Sequence, residues 1–128
     1  MASMLSTKVL DNGLNYIHNN ATHIYICSQD PGDWTSATQT FALGNYNFGT
    51  GNVFGAPATG SPNGRAITSN PIANGTVTAS SPPPAACWAV VNSSASELLA
   101  NGQLTGSVSV TAGNTFTLAP FTITIPNQ

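Results

Sequence analysis

Formal charge is scarce in this chain. Of 128 residues two are basic and four acidic, 5% in all, for a net charge of −2; globular domains usually carry about 25% charged residues. The whole set is Lys8, Asp11, Asp30, Asp33, Arg65 and Glu97. Two cations cannot make the basic patch that phosphate recognition needs, so nucleic acid is not expected as a partner. Long apolar runs are missing as well. No stretch approaches the ~18 consecutive apolar residues of a spanning helix, so no membrane partner is expected. The first residues, Met-Ala-Ser-Met-Leu-Ser-Thr-Lys8, lack the continuous apolar segment of a secretory leader.

Groups that carry chemistry are equally sparse. The histidines are His18 and His23 and the cysteines Cys27 and Cys87, at spacings unlike those of a zinc site. Asp30 and Asp33 share one turn, a poor cage for a calcium ion that takes 6–8 oxygens. No Gly-x-Ser-x-Gly elbow is present, nor a phosphate-cradling Gly-x-x-x-x-Gly-Lys loop, and no pair of carboxylates can be placed across a sugar. No cofactor, metal or enzymatic activity is therefore expected. The cysteines sit in apolar runs, Ile24-Tyr-Ile-Cys27 and Ala85-Ala-Cys-Trp-Ala-Val-Val91. Two buried thiols are one reading, since free cysteine behaves as a small hydrophobe. A cross-strand disulfide is the other, if the two strands pair.

What the chain has in quantity is Ser, Thr, Asn and Gly between short alternating runs. Neutral amides and hydroxyls are cheaper to desolvate than Lys or Glu, and interface cores are depleted in charge for that reason. With a net charge of only −2 there is also little repulsion between copies. The composition suits a subunit packed against others.

Along the chain, Val9, Leu10, Leu14 and Ile17 have helical spacing and predict a short amphipathic helix over 6–19, with an extended arm as the alternative. Thr22–Ser28 alternates and predicts a strand covered on both faces. Asp33 is placed to cap a helical turn through Thr38. Residues 44–64 are glycine-rich but hold Tyr46, Phe48 and Phe54, the mark of a functional or partner-stabilised loop. Strands are expected at 65–69, 76–80, 86–91 and 107–111, with Trp88 in the core. Turns are expected at Asn74-Gly75 and at Asn101-Gly102, the latter dividing Glu97–Ala100 from Gln103–Thr105. The end, Asn114–Pro126, alternates Thr with large apolar residues. Its parity changes, however: Phe116 and Leu118 are even, while Phe121, Ile123 and Ile125 are odd. A bulge or bend at Ala119-Pro120 would restore the apolar set to one face and make this two strand segments that could span two sheets of a sandwich. Short strands punctuated by turns predict a mainly β fold, an antiparallel β-sandwich or jelly-roll-like barrel. The expected layout is a helix or arm over 1–20 and a β-sandwich domain over 21–128.

Cys87-Trp-Ala-Val-Val91, Leu98-Leu-Ala-Asn-Gly-Gln-Leu104, Ser107-Val-Ser-Val110, Gly113–Leu118 and Phe121–Pro126, together with Thr22–Ser28, Ala42–Asn45 and Asn63-Gly-Arg65, resemble small virion structural proteins of tailed bacteriophages. The likeness implies a capsid decoration or cement protein, bound as a homotrimer to the outside of the major capsid protein shell and made in the bacterial host cytoplasm. A tail, collar or fibre-adaptor subunit is the first alternative. A carbohydrate-binding surface module, using Trp34, Tyr46 and Trp88, is the second. Candidate contact residues lie in the arm and the glycine-rich loop: Leu5, Val9, Leu10, Tyr46, Phe48, Val53 and Phe54.

Overall fold

The computed structural model of the chain describes residues 6–48, 54–59, 64–80 and 84–125. The helical spacing near the N-terminus is realised as α1, Thr7–Asn20. Ser6 caps it: the Ser6 hydroxyl accepts a hydrogen bond from the Val9 N–H at 3.3 Å, satisfying one of the free donors of the first turn. At the other end the Asn20 side chain donates to the Tyr16 carbonyl at 2.8 Å. Among the described residues nine strands follow: β1 His23–Cys27, β2 Ala42–Asn47, β3 Ala58–Thr59, β4 Arg65–Thr68, β5 Ile72–Val77, β6 Ala85–Asn92, β7 Glu97–Val108, β8 Thr115–Leu118 and β9 Thr122–Ile125. They form antiparallel sheets in the orders β7-β6-β1-β2-β5-β8 and β3-β4-β9. With its short N-terminal helix, the chain is mainly β with antiparallel sheets, the class its alternating segments predict.

The chain divides into two compact units, one from residues 1–20, 51–71 and 119–128, the other from 21–50 and 72–118. In the first, α1 packs on β4 and β9. Leu10 and Leu14 are buried with Ala66 and Ile67 of β4, as expected of an apolar helical stripe facing a sheet. The Arg65 Nε donates to the Asp11 Oδ1 at 2.8 Å, and its Nη2 reaches the Asp11 Oδ2 at 3.4 Å and the Pro57 carbonyl at 3.3 Å. The buried Ser69 joins the ends of β4 and β9: its N–H donates to the Phe121 carbonyl at 2.8 Å and its Oγ accepts from the Phe121 N–H at 3.0 Å.

In the second unit β1 lies between β6 and β2, and Ile24, Ile26 and Cys27 are all buried. β6 is apolar on both faces and buried from Cys87 through Asn92, Trp88 included. Asp33 caps the helical segment that follows β1. Its Oδ1 accepts the Ser36 N–H at 2.8 Å, and that bond holds the carboxyl below the usual range. The segment closes as a π-helical turn, Ser36–Thr40, with Ala37 buried.

Four sequence expectations are corrected. The stretch expected as a loop over 44–64 begins inside a strand, since Tyr46 belongs to β2, Ala42–Asn47. Asn74-Gly75 is not a turn ahead of a strand; it lies inside β5, which ends at Val77. Asn74 has a φ of +63°, and the pairing with β8 shifts register between Ile72 and Gly75. The tolerance of Asn for positive φ is used here for a bulge instead of a hairpin. Asn101-Gly102 is likewise inside the continuous β7, opposite Ala89 and Trp88. The separate strand expected over 107–111 is instead the end of β7, which stops at Val108. The strand is interrupted at Ala119-Pro120, with β8 ending at Leu118 and joining the six-stranded sheet while β9 starts at Thr122 and joins the three-stranded one.

Two glycines explain why the Asn-Gly pairs are held in strands. Gly75 faces Phe116 and Gly102 faces Trp88 as direct cross-strand partners. A Cβ at Gly75 would come within 2.3 Å of the Phe116 ring, and one at Gly102 within 2.6 Å of the Trp88 indole. Each ring lies over a neighbouring strand where only hydrogen can fit, so the glycine serves packing and not turning.

Candidate functional site

The candidate contact residues fall into both units. Leu5 and Val53 lie outside the described residues. Val9 is 54% exposed, while Leu10 beside it is 2% exposed and packs inward. Tyr16, two helical turns beyond Val9, is 49% exposed and shares its face. Phe54 is buried, bridges to Ser69 and meets Phe121 edge-on, with ring centroids 5.8 Å apart at 85°. In the other unit Tyr46 is half-buried and Phe48 buried, with their rings 6.1 Å apart and tilted by 53°. Among the described candidates, Val9 on α1 and Tyr46 on β2 bring apolar surface to solvent, and Tyr16, outside the expected set, joins Val9. Sequence spacing alone did not single out Tyr16; its offset of seven from Val9 was the available signal.

β7 adds a second kind of surface. It is a twelve-residue edge strand whose sole formal charge is Glu97, and it ends at Val108, 53% exposed. Long edges without Lys, Pro or other blocking residues are templates for further strand pairing. Near its end a cleft of about 280 Å³ is lined by Val77, Val108, Val110, Asn114, Thr115 and Phe116. A smaller cavity of about 40 Å³ adjoins Ile26, Ala85, Leu104, Val108, Phe116 and Leu118. Hydroxyl and amide groups of Ser109, Thr111, Asn114 and Thr115 share the lining of the larger cleft with the apolar side chains, and these residues include no ionisable group.

Polar chemistry gathers in two places the sequence could not pair. At the first, Thr22, His23 and Ser93 converge from β1 and the β6–β7 turn. The Ser93 Oγ is 2.8 Å from the His23 Nδ1, the Thr22 Oγ1 is 3.0 Å from the same nitrogen, and the Ser93 N–H donates to the Thr22 Oγ1 at 2.8 Å. Burial pushes the imidazole below its ordinary pKa, favouring the neutral ring. The Thr22 Oγ1 also donates to the Val91 carbonyl at 3.3 Å. The Thr22–His23 contact is local, and the contacts to Val91 and Ser93 tie the start of β1 to the end of β6, which is a structural use of the ring.

The second place is the cysteine pair. Cys27 of β1 and Cys87 of β6 are direct cross-strand partners, both buried and both free thiols. Ala37, Ala89 and Val91 complete their cluster, and Tyr25, Trp34, Phe41 and Leu98 pack around it. Burial, with the neighbouring Cys87 adding to it, pushes the Cys27 thiol up to about 12. Burial and the hydrogen bond to Asp30 push the Cys87 thiol up. Among the described residues no three His, Cys, Asp or Glu side chains gather as a metal site requires. No family model, no curated protein and no solved structure matches the chain.

Proposed function

We propose that the chain is a structural subunit of a bacteriophage virion, a capsid decoration protein that seats as a homotrimer on the outer face of the major capsid shell and stiffens it. The observation that carries this reading is the pairing of a charge-poor sequence, two basic and four acidic residues, with apolar surface at Val9, Tyr16 and Val108 and an edge strand charged only at Glu97. Such surfaces lose little hydration energy when covered, and they suit contact with other protein better than a free life in water. The likeness of the sequence to small virion proteins supplies the particle; the composition and the exposed surfaces supply the mode of contact.

The mechanism is mechanical. Each copy adds contact area across a joint between capsid subunits. Modest affinity per copy suffices, because the array is held by many simultaneous contacts. Closed cyclic symmetry lets one patch serve all copies of a trimer. The burial of Trp88 and the half-burial of Trp34 against the cysteine cluster leave less aromatic surface for stacking on sugars, which favours protein contact over a carbohydrate-binding module.

Quantitative mass spectrometry of the purified particle tests the proposal. Hundreds of copies per particle, released from the head together with the major capsid protein, are expected. About a dozen copies or fewer, recovered with the tail, would assign it to a tail, collar or adaptor subunit instead. Light scattering of the isolated protein should give three times the 13.1 kDa chain mass.

A further inference from the structure

The geometry points to Cys27 and Cys87 as a reversible cross-strand disulfide whose formation loosens the segment from Asp30 to Thr40. Directly opposed residues of an antiparallel pair share one face and have Cα atoms about 4.5–5.5 Å apart, inside the roughly 4.4–6.8 Å span of natural disulfides. The two cysteines occupy such a position on β1 and β6. They are far apart in sequence, so only the pairing of these strands brings them together.

In the reduced chain each thiol has a separate task. The Cys27 Sγ donates to the Ala37 carbonyl at 3.4 Å, in the π-helical turn, and the Cys87 Sγ donates to the Asp30 Oδ1 at 3.5 Å. Both bonds therefore hold the same connection, the stretch between β1 and β2, against the sheet. A disulfide has no S–H to donate, so oxidation removes both at once. The bond from the Asn101 Nδ2 to the Pro31 carbonyl at 2.9 Å is left as a polar tether.

The reaction needs a diffusible disulfide as oxidant. Cys87, the less completely buried thiol, loses its proton and attacks one sulfur of the oxidant, releasing a small thiol. Cys27 then loses its proton and attacks the Cys87 sulfur of the mixed disulfide, releasing the second small thiol. One S–S bond and two S–H bonds are consumed, and the same are formed. Burial makes both steps slow and faster as pH rises, since the thiolate is the nucleophile. None of this depends on what the protein binds.

The test is to equilibrate the purified full chain with oxidised glutathione and with dithiothreitol. After oxidation, denaturation and alkylation, both cysteines should resist labelling, the intact mass should be lower by two hydrogens, and peptide mapping should give the Cys27–Cys87 link. Amide hydrogen exchange over residues 30–40 should be several-fold faster in the oxidised chain, and dithiothreitol should restore the slow rate. The Cys87→Ala variant should give neither the link nor the oxidant-dependent change. Two alkylatable thiols after equilibration, glutathione adducts without the link, or disulfide-joined dimers would each overturn the proposal. A formed link with unchanged exchange over 30–40 would overturn its second half.

Discussion

Phe116 of β8 lies directly across from Gly75 of β5, its ring over the glycine Cα where an added Cβ would meet ring carbon at 2.3 Å. The same ring comes within 3.2 Å of a Cβ built on Gly44 of β2. One aromatic side chain thus spans three neighbouring strands at two positions without side chains. Gly75→Ala should lower the unfolding free energy by about 2 kcal/mol, within the usual cost of overpacking. Urea titration measures it. In a Phe116→Leu background the same substitution should cost clearly less, because the obstructing ring is gone. Equal costs in the two backgrounds would show that the ring is not the obstacle.

Gly102 and Trp88 repeat the arrangement at the opposite side of the sheet. Gly102→Ala should displace the indole, which lies 2.6 Å from the new methyl position. The expected loss is about 1–3 kcal/mol. Because the buried indole must move, its fluorescence should also shift to longer wavelength. A destabilised variant with unchanged emission, once the constant contribution of Trp34 is subtracted, would place the strain elsewhere.

Asp11 and Arg65 join α1 to β4 in a forked ion pair, each side chain about a quarter exposed. Solvent screening keeps such a pair near 1 kcal/mol or below, so Arg65→Ala should cost about that much and less at 1 M salt. Arg65→Lys should recover only part of it, since an ammonium cannot serve both carboxylate oxygens and the Pro57 carbonyl with the same geometry. A double-mutant cycle with Asp11→Asn isolates the pair.

His23 makes stability fall as pH is lowered. Burial depresses its pKa in the folded chain below the ordinary 6.5, so the unfolded chain binds the proton more readily. Its neutral form is fully accommodated above the unfolded value. The contribution is lost as pH falls from about 6.5 through the depressed folded value and then levels off. Urea midpoints measured between pH 8 and pH 5 should decline for the parent protein, and His23→Gln should flatten that decline. An unchanged slope in the variant would assign the effect to other groups.

Much of the fold was legible because it rests on local periodicity. Val9, Leu10, Leu14 and Ile17 recur at helical spacing, and the helix forms where they predict it. The change of parity across Ala119-Pro120 announced a bend, since a uniform strand would have carried half its large residues to the wrong face; β8 and β9 stand on either side of it. The Asn-Gly pairs misled because a turn preference is a local tendency, while Phe116 and Trp88 supply tertiary packing that uses the same glycines inside strands. In the candidate site, Val9 and Leu10 read alike as members of the apolar helical set, yet of the two it is Val9 that faces solvent. Leu10, Phe48 and Phe54 could not be sorted from it, because an apolar side chain reads the same whether it meets solvent or a sheet.

The sequence by itself determined the helix, most of the strands, the break before the last one and a surface nearly free of charge, because each follows from residue type and spacing over a few positions. Only the tertiary structure decided which strands are neighbours. That choice set Cys27 against Cys87 and Ser93 against His23, and it placed Phe116 and Trp88 over glycines. Register between strands distant in sequence is selected by the packing of whole faces against one another, and no short window of residues contains that information.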